Sequence, residues 1–294
     1  MIKKEIKTAN RVIPVYEGED TNIDVVTVKS FGDEWTSFNA FSEAEIRLIG
    51  DSYFDIITNE MVNQNTVMAD FGCGSGRFSK YWQGKARTIV GIDPSDAIFV
   101  ADKLIGKDEN IQLVKASITN IPFDDEYFDF GMSIGVLHHI PNTQRAMSDC
   151  VKKVKKGGYF YTYLYYSLDN RGFLFKLLFK ISNVFRVIIS SMPQKLKAFF
   201  CDVTAVLFYM PLIGFARLLR NMGVSPKIWS KIPLSAYHDK SFFVIRNDAL
   251  DRFGTPLEQR FSRAEIHTMM TNSGLSEIVF SENPGYWHAV GKKV

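Results

Sequence analysis

The densest chemistry in the chain lies in ten residues, VMADFGCGSG, at positions 67–76. An apolar run leads into Asp70, then come Gly72, Gly74 and Gly76, and an amphipathic stretch opens at Arg77. Glycines in that place let the chain turn tightly and let a ligand lie against bare backbone. Seventeen residues after Gly76, a second apolar run, TIVGI, leads into Asp93. An acid there in an open α/β sheet accepts hydrogen bonds from ribose hydroxyls. Loop and acid together point to an adenosine-type cofactor lying across the carboxyl ends of the strands. The spacing also excludes two common alternatives. A dinucleotide G-x-G-x-x-G would need glycine where Arg77 stands, and no Gly-Lys-Ser/Thr follows for a P-loop.

Five histidines could move protons: His138, His139, His238, His267 and His288. The adjacent His138 and His139 follow a later apolar run, so each is either a base near the reacting group or a packing residue. His238, in PLSAYHDKSFF, is a further candidate base, with a surface-loop role as the alternative. His267 falls within an expected helix and reads as structural. No acid sits at ligand spacing from the histidine pair, so no metal site is expected. Tyr161, Tyr163, Tyr165 and Tyr166 crowd the end of one apolar run. Alternate members of a strand face opposite sides, so Tyr163 is a candidate near the chemistry and Tyr165 a candidate acceptor contact, with core packing as the alternative. Cys73, Cys150 and Cys201 are too few and too scattered for a disulfide framework.

The elements that must position these groups follow from pattern. Apolar runs at Val67–Phe71, Thr88–Ile92, Phe128–Ile134 and Tyr159–Leu164 alternate with amphipathic stretches, which predicts βαβ units and a parallel sheet. Ser42 with Glu45, and Ser262 with Glu265, are capping boxes that open helices, and Gly274 closes the second. Asn283-Pro284-Gly285 marks a turn between two final strands. FGDEWTSFNAF, Phe31–Phe41, is placed ahead of the first capped helix. Four regions result: 1–60, an N-terminal cap; 61–165, the sheet core; 166–245, a helical insert; and 246–294, the completion of the sheet.

Composition sets the limits. The chain has 294 residues, 46% of them hydrophobic, so a sizeable folded core is available. Lysine plus arginine is 35 against 32 acids, a net charge of +3, which argues against a dedicated nucleic-acid binder. The charge is uneven. From Arg171 to Arg220 there are eight basic residues and one acid, Asp202. That basic, amphipathic insert could roof the acceptor pocket, which is the preferred expectation, form a dimer interface, or rest on an anionic membrane. Its longest uncharged apolar run, Val203–Ala216, has 14 residues interrupted by Pro211, short of a usual bilayer span. With no secretory leader pattern and few cysteines, a cytoplasmic location is expected.

The glycine loop, GIDPSDAIFVADK (Gly91–Lys103), ASITNIPFDDEYFDFGMSIGVLHHIPN (Ala116–Asn142) and VKKVKKGGYFYTYL (Val151–Leu164) together resemble the motifs of class I S-adenosylmethionine (SAM) dependent methyltransferases. The resemblance implies a Rossmann-like, seven-stranded, mostly parallel sheet with an antiparallel C-terminal hairpin. It implies SAM as cofactor and S-adenosylhomocysteine as product. By the same resemblance Asp70 would hold the methionine amino group, and Gly72, Gly74 and Gly76 would form the loop beneath the methionine. Asp93 and the following Pro94 would meet the ribose, Ser117 and Ile118 the adenine, and Ser133 and Gly135 the sulfonium. Many family members carry aspartate where Ser117 stands. Separately from the resemblance, Trp35 and Phe38 are expected either to close over the cofactor as an N-terminal lid or to pack as a staple under the helix.

Ser241–Met270 resembles a stretch found in bacterial sugar methyltransferases. On that basis Arg246, Arg252 and Arg260, with Tyr165 and Tyr237, would bind an acceptor that is sugar-like and potentially anionic; the alternative is a salt-bridged surface that clamps the insert to the core. The expected activity is O-methylation of a carbohydrate, sugar phosphate or nucleotide-linked sugar. N-methylation of an amino sugar or small amine is the second expectation, and a SAM-binding regulator without turnover the third.

Overall fold

The computed structural model describes residues 4–18, 21–37, 41–168, 172–282 and 287–294. Phe38, Arg171 and the Asn283-Pro284-Gly285 turn lie outside the described residues. The chain divides into two compact units, one formed by Met1–Asn170 with Leu257–Val294 and the other by Arg171–Pro256.

The first unit is built on a seven-stranded sheet. Its elements in chain order are a small hairpin, β1 (Lys4–Lys7) and β2 (Val12–Val15), then α1 (Val25–Ser37), α2 (Glu43–Tyr53), β3 (Val67–Phe71), α3 (Arg77–Trp82), β4 (Thr88–Ile92), α4 (Ala97–Ile105), β5 (Ile111–Val114), β6 (Phe128–Ile134), α5 (Thr143–Lys152) and β7 (Val154–Leu164). The strand order is β5-β4-β3-β6-β7-β9-β8, with β8 (Leu275–Phe280) and β9 (Trp287–Lys293) supplied from beyond the second unit. Strands β3 to β7 pair in parallel, and β9 runs antiparallel to both β7 and β8. From β3 the chain runs outward through β4 to β5, then returns to lay β6 on the other side of β3. That reversal opens a crevice at the carboxyl ends of β3 and β6, where open α/β sheets bind ligands.

Both faces of the sheet are covered, so the central strands read as continuous apolar runs. Phe71, Phe128 and Phe160 pack on one face, while Phe130 and Tyr161 pack on the other. The two capping boxes form as the residue pattern predicts. Ser42 accepts from the Glu45 amide at the start of α2, and Ser262 from the Glu265 amide at the start of α11 (Arg263–Asn272).

Three features add to or differ from the sequence reading. FGDEWTS does precede the capped α2, and it is itself helical, the second half of α1. The β1–β2 hairpin docks on the sheet's edge, where Pro14 and Tyr16 exchange backbone hydrogen bonds with Lys115. Finally, residues 246–256 do not belong to the sheet. Residues 246–254 lie in α10 (Phe242–Gly254), which packs on α6 (Phe173–Ser190) and α7 (Gln194–Thr204), and Thr255 and Pro256 end the helical unit.

That second unit is all helical, with α8 (Met210–Asn221) and the single turn α9 (Pro226–Trp229) completing it. Between α7 and α8 the chain makes a π turn, Ala205–Tyr209, so that Lys195–Asn221 is one helix of 27 residues. Pro211 does not break it, because the regular backbone ladder is already interrupted at the π turn just before. By length and composition this helix could cross a membrane. The unit's polar groups close on each other. Arg246 grips both oxygens of Asp202 at 2.5 and 2.7 Å. The buried Arg186 donates to the carbonyls of Thr255 and Pro256, and Tyr237 donates to Asp248.

Candidate active site

The cofactor side of the crevice is set by two acids and the loop between them. Asp70 ends β3 as its fourth residue and is 1% exposed. Its carboxylate accepts from the Ser79 hydroxyl at 2.7 Å. Burial pushes its pKa from 3.8 up to about 7, with the neighbouring Asp93 adding to the rise and the Ser79 hydrogen bond opposing it. Asp93, just beyond β4, accepts from the Gly74 amide at 2.9 Å and from the Ser95 amide and hydroxyl at 2.8 and 2.6 Å. Burial raises its pKa as well.

The glycines of the loop divide the work. A Cβ on Gly74 would lie 3.2 Å from the indole nitrogen of Trp35, so the bare backbone faces the covering helix α1. Gly76 faces the other way: its φ is +77°, and a Cβ there would lie 2.8 Å from the Ala101 methyl of α4. Gly76 therefore lets α3 pack on α4, Gly72 makes room for Val136, whose side chain a Cβ would meet at 2.5 Å, and the expected contact of a glycine Cα with a cofactor passes to Gly74 beside the loop's Ser75. The Ser75 hydroxyl is buried with no hydrogen-bond partner among the described residues. A buried hydroxyl of this kind, beside bare backbone and two acids, fits a ligand with both donor and acceptor groups. The residues present thus suit SAM: Asp70 would take the amino group, the loop the carboxylate end and Asp93 the ribose.

The other expected cofactor residues lie around this crevice. Pro94 follows Asp93 and is half-buried. The Ser117 hydroxyl lies 3.0 Å from that of Thr119, and Ile118 is buried in the core beside it. Ser133 donates to the carbonyl of Phe71 at 2.9 Å, so its side chain ties the ends of β6 and β3 together. The Gly135 amide donates to the Tyr163 carbonyl, joining β6 to β7 at the mouth. Trp35 sits over the loop, with the Arg77 guanidinium 5.0 Å from its ring.

On the acceptor side, the two adjacent histidines have different surroundings. His138 is fully buried and stacked on Tyr165, ring centroids 3.9 Å apart. Burial drives its pKa well below the ordinary value, with His139 and Arg260 adding to the fall, so it is a neutral packing ring. The Nδ1 of His139 lies 2.6 Å from the carbonyl oxygen of Leu257. A carbonyl can only accept, so Nδ1 carries a proton, and in the neutral ring Nε2 carries the lone pair. The Leu257 amide in turn donates to Thr27 of α1, and Phe31 of α1 meets the His139 ring edge-on at 4.8 Å. Tyr163 is nearly buried, edge-on to Tyr53 and near Tyr165.

Residue spacing alone did not single out Asp55 with His288. The His288 Nε2 lies 3.4 Å from an Asp55 oxygen, among Tyr53, Tyr161 and Tyr163. Its one sequence signal was a histidine inside the otherwise apolar start of β9.

Other expected residues have different company. His238 sits in the helical unit, its Nδ1 2.9 Å from the Ser235 carbonyl and its ring against Trp229. Tyr237 and Arg246 belong to that unit's internal pairs. Arg252 lies over the Phe179 ring and donates to Ser182. In the sheet unit Arg260 pairs with Glu258 at 2.8 Å and covers the Tyr165 ring at 5.0 Å. All three arginines have partners within their own unit.

Known proteins point the same way as this geometry. Residues 69–162 match the methyltransferase domain family. The ubiquinone biosynthesis O-methyltransferase of Coxiella burnetii is 25% identical over 159 residues, covering 52% of this chain and 66% of that protein. The chain therefore spans just under two thirds of the length of that curated relative. The ubiquinone/menaquinone biosynthesis C-methyltransferase UbiE of Campylobacter jejuni is 27% identical over 121 residues, covering 38% of this chain and 50% of that one. Human N-acetylserotonin methyltransferase, solved with SAM, shares the fold at a TM-score of 0.50 and 13% identity, over 90% of this chain and 56% of its own. Residues 69–162, the core of the sheet-bearing unit, are a methyltransferase domain of the class I SAM-dependent type. SAM is the cofactor of that family.

Proposed function

We propose that the protein methylates a hydroxyl group on a small ring-shaped acceptor, with a sugar ring as the first reading. The observation that carries it is the His139–Leu257 hydrogen bond. It holds one imidazole at the carboxyl end of β6 in the tautomer that can accept a proton. An amine acceptor needs only to be unprotonated, whereas a hydroxyl gains from a positioned base. SAM, when bound, supplies a methyl group on a good leaving group, so positioning does most of the remaining work. Asp93 and the glycine loop fix one end. Tyr163 and Tyr165 stand beside the two histidines at the carboxyl end of the sheet. His139 Nε2 takes the hydroxyl proton.

A phenolic acceptor is the second reading, favoured by the printed activity of the Coxiella burnetii relative. The test uses SAM carrying a labelled methyl group with two acceptor panels, uncharged sugars and simple phenols. Label recovered as a sugar ether supports the first reading, and as an aryl ether the second. Label recovered on an amine would overturn both. Tight SAM binding with no transfer to any panel would favour a SAM-binding regulator.

A further inference from the structure

The helical unit is built with its large apolar residues outward. Along the helix Lys195–Asn221, the buried positions are Lys197, Cys201, Ala205, Tyr209, Ile213 and Ala216. Three of the six are cysteine or alanine. The largest apolar side chains of the same helix face solvent: Leu207 is 62% exposed, Phe208 63%, and Phe199, Leu212, Phe215 and Leu218 are exposed too. A helix of a water-facing protein has the reverse arrangement. Small residues between helices with large apolar chains outside are the pattern of proteins whose solvent is lipid.

The π turn preserves this face. Buried positions four apart drift by about 40° per step in a helix of 3.6 residues per turn. The wider π turn at Ala205–Tyr209 offsets that drift, so Phe215 and Leu218 stay on the side of Phe199 and Leu207. The neighbouring helix α6 repeats the arrangement, with Leu178, Ile181, Val184, Phe185 and Ile188 exposed. An apolar surface of this extent on two helices marks an interaction site.

Charge selects the occupant. The unit carries thirteen basic residues against four acids. Six of the basic residues, Lys176, Lys180, Lys195, Arg220, Lys227 and Lys231, are exposed. At 100° per residue, Lys176 and Lys180 fall on the flank of the exposed stripe of α6. We propose that the helical unit seats on an anionic phospholipid bilayer, its apolar face entering the boundary between headgroups and acyl chains and its basic residues meeting the headgroups. The seating is in the plane of the membrane rather than across it. The uncharged part, Val203–Ala216, has 14 residues, which reach about 21 Å against roughly 30 Å of hydrocarbon. Apolar insertion combined with basic attraction is the pairing that holds in-plane helices.

The test is flotation of the full chain with vesicles of phosphatidylcholine alone and with 30% phosphatidylglycerol added, SAM binding serving as the check that each protein is folded. The expected result is recovery with the anionic vesicles, with at least a tenfold lower partition onto the neutral ones. Leu207→Asp with Phe215→Asp, both on exposed positions, should lower partition by more than tenfold while SAM affinity is retained. Lys176→Glu with Lys180→Glu should lower it by about tenfold, and 1 M salt should weaken binding of the native chain. A chain that binds SAM but does not float with anionic vesicles overturns the proposal. So does unchanged flotation of the double aspartate variant. A dimer in sedimentation that the same variant dissociates, with no vesicle binding, assigns the face to a second copy instead.

Discussion

Asp93 accepts a hydrogen bond from the amide of Gly74, 2.9 Å away. The residue placed to meet a ribose therefore also tightens the loop placed beneath the methionine. Replacing Asp93 by alanine removes a carboxylate contact to the ribose and the tether of the loop at once. Hydrogen bonds to a charged group contribute about 1.5–3 kcal/mol each. Asp93→Ala should weaken SAM binding by roughly 10- to 1,000-fold, read by calorimetric titration with SAM and S-adenosylhomocysteine. Affinity equal to that of the native protein would remove Asp93 from the cofactor site.

The raised pKa of Asp70 makes cofactor binding depend on pH. With a folded pKa of about 7 against an ordinary 3.8, this group favours the folded state only while protonated. That stabilisation is complete below about pH 4 and is lost as pH rises through 7. A cationic amino group pairs with the ionised form, so SAM affinity should rise between pH 5 and 8, by up to roughly tenfold per unit below pH 7. Asp70→Asn should flatten that profile and raise the ligand-free melting temperature at pH 8. A native profile without slope would mean that Asp70 does not change ionisation when SAM binds.

Gly76 is a stability position. At φ +77° an alanine is strained, and its methyl would sit 2.8 Å from Ala101. Left-handed backbone costs roughly 1–2 kcal/mol for a non-glycine residue, and overpacking typically adds another 1–3. Gly76→Ala should therefore lower chemical-denaturation stability by about 2–5 kcal/mol. A loss confined to SAM affinity, with stability intact, would return Gly76 to the cofactor cradle.

What could be read from residue order follows a physical line. β3, β4 and β6 were visible because parallel strands buried on both faces must be apolar along their whole length. The capping boxes at Ser42 and Ser262 were visible because they solve a local problem, the unpaired amides of a helix start. β5 was passed over because it has only four residues and exposes Gln112. The pairing of Arg246 with Asp202 spans 44 residues, so neither local charge pattern announced it. Pro211 looked like a break because a π turn leaves no mark in composition. The Leu257 carbonyl that orients His139 is backbone, which no side-chain motif records.

The orientation of His139 gives the sharpest test of the proposed chemistry. Its Nδ1 is held by Leu257 while His138, next in the chain, is buried and neutral. If Nε2 of His139 takes the acceptor proton, His139→Asn should lower kcat by about 10²–10⁴-fold, the usual contribution of a general base. SAM affinity should change by less than about threefold, since no cofactor group depends on that nitrogen. The acidic limb of the native kcat profile should also disappear in the variant. His138→Asn should behave differently. It replaces a ring stacked on Tyr165, so its main effect should be a lower melting temperature, with the pH profile retained. Should His139→Asn keep both the rate and the acidic limb, the imidazole orders the loop and the base must be sought elsewhere, beginning with the Asp55–His288 pair beside Tyr163.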